Sequence, residues 1–439
     1  MVQSTSPSNA RTRTGGTTAD TAAEAGGETL HAEVLVVGGG LVGATLASAL
    51  ASAGIETVVV DRENPEDVLK MTFDGRASAI AAGSRHMMEA IGLWDLVADQ
   101  AQPILDIMVT DGQIGRRKSP LHLHYDHREV GEAMGHIVEN RVLRQGQQRL
   151  LPSFERLTVL APVGVERVVR TTGHATATLT DGRKVRARLV AGCDGRGSPL
   201  RKAAEIRTAH WTYDQAGIVA TLEHDADHKG TAHEHFLPSG PFAMLPMVDG
   251  PGGQHRSSIV WTEKKRLAEH FYGLDQDAFA REVLRRFGPD YGDVREIGPR
   301  FKYPLSGLHA ERYIDTRLAL VGDSAHAIHP IAGQGLNLGL RDVAALAECI
   351  VDARRLGLDV GNPDVLRRYQ RWRRPDNLIL VAATHTLDHL FSNDFGPLRL
   401  ARDLGLAGVN RIGPMKKLFM QHAMGTLGDL PRLIRGEQL

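Results

Sequence analysis

Residues 34–51 read VLVVGGGLVGATLASALA, an aliphatic run that leads through three glycines into an Ala-rich segment. The run predicts a short buried strand of a parallel sheet. Gly38, Gly40 and Gly43 have the spacing G-x-G-x-x-G, and the Ala-rich segment predicts a helix that ends at Gly54. This order of strand, glycine turn and helix predicts a site for a dinucleotide.

Each glycine of the turn has a separate physical role. Gly38 permits the tight turn, Gly40 lets a pyrophosphate approach the backbone, and Gly43 lets the helix pack close to the strand. The helix N-terminus offers free N–H groups and a partial positive charge to the phosphates. A second strand over 57–60 ends at Asp61, whose carboxylate can hold a ribose hydroxyl. The complete order favours a nucleotide over an empty glycine turn, and its place near the N-terminus favours FAD over NAD.

The bulk properties limit the class of protein. A length of 439 residues predicts two or three domains, and a formal net charge of zero gives no electrostatic argument for nucleic acid. Cys193 and Cys349 lie far apart, which argues against a disulfide framework or a CxxC motif and suits a reducing compartment. Residues 1–30 are rich in Ser, Thr, Gly and Ala and lack the apolar core of a secretion signal, so we predict a disordered tail.

Two later stretches repeat the pattern of a strand that ends in a glycine turn. Residues 189–201 read LVAGCDGRGSPLR, and residues 317–340 read RLALVGDSAHAIHPIAGQGLNLGL. In the second stretch Asp323 offers a carboxylate to a ribityl hydroxyl. A helix predicted from about Gly335 can stabilise negative charge that develops on a reduced flavin.

The three motifs, in this order, resemble those of the class A flavoprotein monooxygenases, the para-hydroxybenzoate hydroxylase superfamily. The resemblance spans roughly residues 32 to 376. Longer words are similar to the ubiquinone-biosynthesis branch of polyprenylphenol hydroxylases: GDSAH at 322–326, HPIAGQGLNLG at 329–339, DGRASAI at 74–80 and ENRVL at 139–143. This resemblance implies an FAD enzyme that hydroxylates an aromatic ring.

The resemblance also implies which residues bind the cofactor. Three glycines would cradle the pyrophosphate, acids would hold the ribose and ribityl hydroxyls, and the third turn would line the isoalloxazine ring. The implied set is Gly38, Gly40, Gly43, Asp61, Arg76, Arg141, Asp194, Gly195, Asp323, Pro330, Gly333, Gln334, Gly335, Leu336 and Asn337. The family often has Glu where this chain has Asp61, a shorter acid that leaves the role plausible.

Several of these side chains have alternative interpretations. Arg76 and Arg141 could be solvated surface arginines. His326 and His329 could be taken for metal ligands or a catalytic base, but no Asp, Glu or Cys stands at metal spacing, so a structural role is preferred and no metal is predicted. No acid–base motif is visible, and the sequence identifies no catalytic residue.

The predicted fold class is α/β: a Rossmann-like FAD-binding domain of the glutathione-reductase type with an inserted β-sheet substrate domain and a helical C-terminal segment. Strands are predicted in the insert at Ile218–Leu222, Thr231–Phe236, Phe242–Pro246 and Ser257–Trp261. The predicted divisions are 1–30 (tail), 31–211 (FAD-binding domain, with a substrate-domain segment near 102–135), 212–305 (substrate domain), 306–376 (FAD-binding domain) and 377–439 (C-terminal segment).

The expected reaction is hydroxylation of an aromatic ring, most plausibly of a polyprenylated phenol in ubiquinone biosynthesis, through a flavin C4a-hydroperoxide. It would consume O₂ and use NADPH or NADH as a transient electron donor. No second G-x-G-x-x-G stands in a strand–helix context, which argues against a dedicated nicotinamide domain. Two alternatives stay open: an FAD-dependent reductase of isoprenoid double bonds, and a non-catalytic flavin-bearing scaffold subunit of a quinone-synthesis complex.

The segment after Pro375 has two interpretations. Apolar stretches and Lys416 and Lys417 suggest amphipathic helices that pack on the FAD-binding domain or on another subunit. The same pattern fits a patch that faces a membrane and admits a polyprenyl tail. We therefore expect a cytoplasmic protein, with peripheral contact at the inner face of the membrane as the second interpretation.

Overall fold

The computed structural model describes residues 29–112, 114–115, 122–328, 333–391, 405 and 408–439. The predicted tail lies outside these residues, except that the first strand already begins at Thr29, because Thr29 and Leu30 pair with Lys184 and Val185. Pro330 and His329 also lie outside the described residues.

The described chain contains strands and helices of very different length. The strands are β1 Thr29–Val37, β2 Thr57–Val60, β3 Ala77–Ala81, β4 Ala101–Ile104, β5 Asp106–Asp111, β6 His122–Asp126, β7 Gly135–Glu139, β8 Leu157–Leu160, β9 Val165–Arg170, β10 Ala175–Leu179, β11 Lys184–Gly192, β12 Thr208–His224, β13 Thr231–Leu237, β14 Gly240–Met247, β15 His255–Lys264, β16 Val294–Ala310, β17 Ile314–Asp315, β18 Leu318–Leu320 and β19 His326–Ala327. The helices are α1 Leu41–Ser52, α2 Pro65–Leu69, α3 Ala82–Ala90, α4 Asn140–Leu150, α5 Pro199–Ala203, α6 Lys265–Tyr272, α7 Gln276–Phe287, α8 Gln334–Arg355, α9 Pro363–Phe391 and α10 Gly413–Met424.

A parallel sheet in the order β8-β2-β1-β11-β18 forms the centre of the FAD-binding part. Its inner strands are aliphatic and fully buried, as the runs at 34–37 and 57–60 predict. Helices α1 and α8 pack on this sheet and contribute Leu46, Leu50 and Leu346 to the same core. The parallel ends of β1, β11 and β18 bring the three glycine turns to one edge of the sheet.

The substrate-domain sheet has the order β19-β16-β12-β15-β14-β13-β5-β6. The four strands predicted in the insert lie within β12, β13, β14 and β15. Strands β5 and β6, from the segment near 102–135, complete its far edge through the parallel pairing of β5 with β13. One face of the sheet is covered by α6 and α7, where Trp261 and Phe279 are buried.

Two paired strands connect this sheet to the FAD-binding part. Strands β12 and β16 are each 17 residues long, and their ladder extends from Thr208 opposite Ala310 to His224 opposite Val294. The domain boundaries predicted at 212 and 305 fall inside these two strands. Because both strands extend across the boundaries, the division into two domains remains a prediction.

The remaining elements are a small third sheet and the C-terminal helices. A small sheet, β3-β7-β4, lies between the two larger ones. Helix α9 continues through Pro375, and α10 leads to a last short turn at Arg432–Arg435. Ile434 in that turn lies against α3, where a Cβ on Gly83 would be 2.9 Å from its Cγ2 atom. Across the described ranges, no helix is long and apolar enough to span a bilayer.

Candidate flavin-binding site

In the first glycine turn, two of the three motif glycines pack against backbone atoms and the third faces open space. Gly38 has φ +98°, and a Cβ there would overlap the carbonyl oxygen of Cys193. A Cβ on Gly43 would overlap the carbonyl oxygen of Gly38. Gly40 has an ordinary φ of −67° and no protein atom within 4 Å of its missing Cβ. Backbone packing therefore explains Gly38 and Gly43, and Gly40 leaves room for a ligand.

Asp61 stands at the end of β2, beside this turn. Its carboxylate accepts hydrogen bonds from the N–H groups of Gly39 and Glu63, the latter at 2.7 Å. Asp61 thus holds the glycine turn in place through the N–H group of Gly39, and it also lines a cavity beside the turn.

A cavity of about 450 Å³ brings five of the predicted residues together: Gly38, Gly40, Asp61, Asp194 and Gly195. Asp194 accepts a hydrogen bond from the Leu200 N–H at 3.1 Å, while its Oδ1 atom is buried and has no hydrogen-bond partner in the described residues. Burial raises the pKa of this carboxyl group. Such an orphaned acceptor is suited to the hydroxyl of a bound nucleotide. The segment 163–168, which also lines the cavity, carried no recognisable sequence signal.

The third glycine turn packs directly on the first helix. Gly322 has φ +63°, and Cβ atoms on Gly322 and Gly339 would lie 3.3 and 3.0 Å from the side chain of Val42 in α1. The next residue, Asp323, has an exposed side chain, and desolvation by the surrounding protein raises the pKa of its carboxyl group. An accessible acid at this position can receive hydrogen bonds from a ligand.

Helix α8 begins at Gly333, which adopts a left-handed conformation with φ +62°. The first-turn N–H groups of Gln334, Gly335 and Leu336 have no partner within the helix. Within the described residues, a Cβ on Gly335 would meet no atom within 4 Å. The described part of the chain therefore leaves the helix start open, as a site for the electron-rich edge of a flavin requires.

Two side chains at the start of α8 form hydrogen bonds with backbone groups of the protein itself. Asn337 accepts from the Ala81 N–H at 2.9 Å and donates to the carbonyl groups of Ala79 and Gly333. This amide holds β3 against the helix start and has no donor left for a cofactor. Gln334 donates to the Ala423 carbonyl at 3.3 Å, and its buried Oε1 has no partner in the described chain.

Arg76 and Arg141 meet at one end of the small sheet, because the Asn140 N–H donates to the Arg76 carbonyl at 2.9 Å. Arg76 forms an ion pair with Asp74 at 2.6 Å and lies 5.3 Å from the ring centre of Phe301. Arg141 donates to the adjacent Glu139 carboxylate at 2.6 Å. Both arginines are engaged by acids, and neither lines the 450 Å³ cavity.

A buried ionic network, which the sequence did not predict, supports the third turn. Asp342 in α8 accepts hydrogen bonds from His326 at 2.5 Å, from Arg373 at 2.9 Å, from Asn377 at 3.1 Å and from the Gly322 N–H at 3.1 Å. Burial acts to raise the pKa of Asp342, but His326 and Arg373 together hold it below its ordinary value. His326 is therefore paired with a carboxylate inside the protein, and its role is structural.

Three glycine-bearing turns at one edge of a parallel sheet define a dinucleotide-binding α/β protein of the FAD type. The chain matches the family described as FAD binding domain over residues 31–379, and it belongs to that family. It is 52% identical to the ubiquinone hydroxylase UbiL of Rhodospirillum rubrum over 411 residues, which cover 93% of this chain and 94% of that protein.

More distant proteins share the same organisation. The chain is 33% identical to the 3-demethoxyubiquinol 3-hydroxylase of Escherichia coli, with 90% of this chain and 98% of that protein covered. The crystal structure of p-nitrophenol 4-monooxygenase PnpA from Pseudomonas putida DLL-E4 has a TM-score of 0.74 and covers 92% of this chain and 100% of its own. At 19% identity this last similarity concerns the fold alone.

Proposed function

We propose that this protein uses FAD, NAD(P)H and O₂ to hydroxylate the aromatic ring of a polyprenylated phenol in ubiquinone biosynthesis. The observation that carries the proposal is that the first two glycine turns line one cavity and the third turn packs on α1 beside them, in a chain that is 52% identical to a protein named ubiquinone hydroxylase. A scaffold subunit would not need an open helix start at Gly335, and this observation favours an enzyme.

The residues of the cleft fit the parts of FAD. The turn around Gly40 would take the pyrophosphate, Asp61 and Asp194 would take ribose hydroxyls, and Asp323 would take the ribityl chain. The first-turn N–H groups of α8 would stabilise negative charge on the flavin ring. Bound FAD would supply the transfer of electrons from NAD(P)H to O₂, while the protein orients the ring of the substrate and excludes water.

NADPH or NADH would act as a transient donor. The proposal of a transient donor rests on the sequence, which has a single G-x-G-x-x-G. That motif is assigned to FAD, so the sequence predicts no separate domain for a nicotinamide cofactor. The preference between the two donors is a matter for kinetics.

A set of measurements on the purified protein tests the proposal. We expect a yellow protein with one FAD per chain, bleaching by NAD(P)H, and an oxygen-dependent hydroxylated product from a prenylated phenol. A reductase of isoprenoid double bonds would form its product without O₂. A scaffold would bind flavin that NAD(P)H does not reduce in the presence of candidate phenols. A colourless protein that stays colourless with excess FAD would contradict all three.

We further propose that α10 contacts the membrane surface and helps to admit the prenyl tail. Its outer side exposes Lys417, Leu418 and Phe419, with Ile412 exposed just before the helix. Apolar side chains beside a lysine fit the boundary between acyl chains and anionic headgroups.

A further inference from the structure

The sheet of the substrate domain has two chemically different faces. Alternate residues such as Met244 and Trp261 pack beneath α6 and α7. We call the opposite side the inner face; on β13 and β14 it comprises Ala232, Glu234, Phe236, Ala243, Leu245 and Met247. Part of the inner face packs against Met420 and Met424 of α10.

The inner face adjoins the start of α8. Ala79 of β3 belongs to the same apolar cluster as Ala232, and a Cβ on Gly333 would be 3.1 Å from the Cβ of Ala79. On β12, which β15 separates from β14, the Thr221 hydroxyl donates to the Gly75 carbonyl at 3.2 Å, next to Arg76. These contacts place the inner face beside the turn to which the proposed function assigns the flavin ring.

Glu234 is an unusual residue for such a surface. The register puts it opposite Val109 of β5 and Ala243 of β14, so its direct neighbours across both ladders are apolar. Within the described ranges, its carboxylate forms no hydrogen bond and no ion pair. The side chain is only partly accessible, although protein surrounds it. A partly desolvated acid without a partner among apolar neighbours costs free energy, and such groups are concentrated at functional sites.

Burial alone raises the pKa of Glu234 to about 7. The other ionisable groups on or near the inner face include Asp111 at the end of β5, Tyr125 of β6, His422 of α10, and Arg256 of β15, which lies opposite Met247 and pairs with Glu139 of β7 at 3.6 Å. Burial raises the pKa of Tyr125 to about 12, and burial together with Arg341 lowers that of His422. A carboxyl group that titrates near neutral pH is suited to act as a general base.

We propose that the Glu234 carboxylate accepts the proton of the ring hydroxyl of the substrate, an inference that rests on the proposed function. The O–H bond of the phenol breaks, an O–H bond forms on the carboxyl group, and the electron pair stays on the ring oxygen. The resulting phenolate is a stronger nucleophile at the ring carbons ortho and para to that oxygen. Glu234 would thereby supply the catalytic group that the sequence could not identify.

The test compares E234Q with E223Q in the full-length holoenzyme. Glu223 lies on β12 of the same sheet, pairs with Arg295, and serves as the matched control. We measure FAD content and the rate of hydroxylated product between about pH 5.5 and 9. For wild type and E223Q we expect kcat to rise through about pH 7, as the acid ionises. For E234Q we expect normal FAD content, a kcat that is lower by about 100-fold, and no such rise.

A second substrate separates a base from a structural residue. A fluorinated phenol that is already ionised at pH 7 needs no proton acceptor, so we expect it to restore much of the rate of E234Q. Wild-type rates and an unchanged pH profile in E234Q would overturn the inference, as would failure of the ionised substrate to help. Absence of hydroxylated product from the wild type would instead refute the proposed function itself.

Discussion

Gly40 and Gly43 are three residues apart in the same turn, yet the structure gives them different reasons to be glycine. A Cβ on Gly43 would overlap the backbone, so we expect G43A to lower the free energy of unfolding by about 2 kcal/mol or more. A Cβ on Gly40 meets only open space, so G40A should change stability by no more than about 0.5 kcal/mol. If the pyrophosphate occupies that space, G40A should raise the Kd for FAD by about tenfold or more.

Urea unfolding of the FAD-free protein and titration with FAD measure these two effects separately. A G40A variant that binds FAD as tightly as the wild type would show that the pyrophosphate does not lie over this glycine. The sequence motif alone cannot make this distinction, because it treats all three glycines as one pattern.

Asp342 is a further residue whose importance only the structure reveals. D342N would leave His326 and Arg373 buried without their anion, so we expect a loss of about 3–5 kcal/mol in the free energy of unfolding. Because folding lowers the pKa of Asp342, the wild-type contribution is fully present above its unfolded pKa of about 4 and is lost progressively as the pH falls from there through the lower folded pKa. The difference between wild type and D342N should therefore shrink in acid.

Equilibrium unfolding of both proteins at pH 7 and pH 3.5 checks this expectation, with FAD affinity as a second readout because Asp342 also holds the Gly322 N–H. D364N is the control, since Asp364 is exposed and pairs with Arg367 on the surface. A gap between wild type and D342N that is equally large at both pH values would contradict the assignment.

At the scale of elements, the sequence predicted the strands and helices that a short stretch of residues is enough to recognise. The strand, turn and helix around Gly38 have a fixed spacing, and most strands of the insert are short apolar or β-branched runs. The sheet β3-β7-β4 was not predicted, because its strands are brief and their partners lie far away in the sequence. The pairing of His326 with Asp342 likewise depends on how α8 packs, which no short motif encodes.

Helix α10 is the element for which a membrane role can be measured. The double substitution L418S/F419S should reduce flotation of the protein with vesicles that contain anionic lipid, because it removes two exposed apolar side chains of the helix. L356S is a matched control, since Leu356 is 75% exposed at the far end of α8. Equal flotation of all three proteins, or none for the wild type, would count against the membrane contact.

At the scale of the whole molecule, β12 and β16 join the two cores by one long ladder whose register shifts between Thr212 and Ala216 and between Val219 and Thr221. We expect the substrate sheet and the FAD-binding part to unfold together. Trp94 lies in the FAD-binding core and Trp261 in the substrate core, and either becomes the sole reporter when the other three of the four tryptophans are replaced by Phe. The urea midpoints seen by fluorescence in the variant that keeps only Trp94 and in the variant that keeps only Trp261 should each coincide with the midpoint by circular dichroism of the same variant. Separate midpoints would mean that the long strands break at the predicted boundary.

The overall architecture was predictable because three distant glycine turns specify one fold. The contribution of each side chain was less predictable from the sequence. Asn337 matches the family word, yet its amide is used by Ala79, Ala81 and Gly333 of its own chain. Glu234 belongs to no motif and is recognised only through the register of β13. Sequence patterns record spacing along the chain, whereas burial and pairing arise from contacts across it.

The short turn at Arg432–Arg435 has a consequence for genetics. A stop codon at position 432 would remove two buried side chains, Leu433 and Ile434, and the loss of Ile434 would leave a gap beside Gly83. Losing one large buried aliphatic side chain costs about 2–5 kcal/mol, and a whole protein is stable by only about 5–15 kcal/mol. An allele with this stop codon should therefore yield a polypeptide that cellular proteases remove.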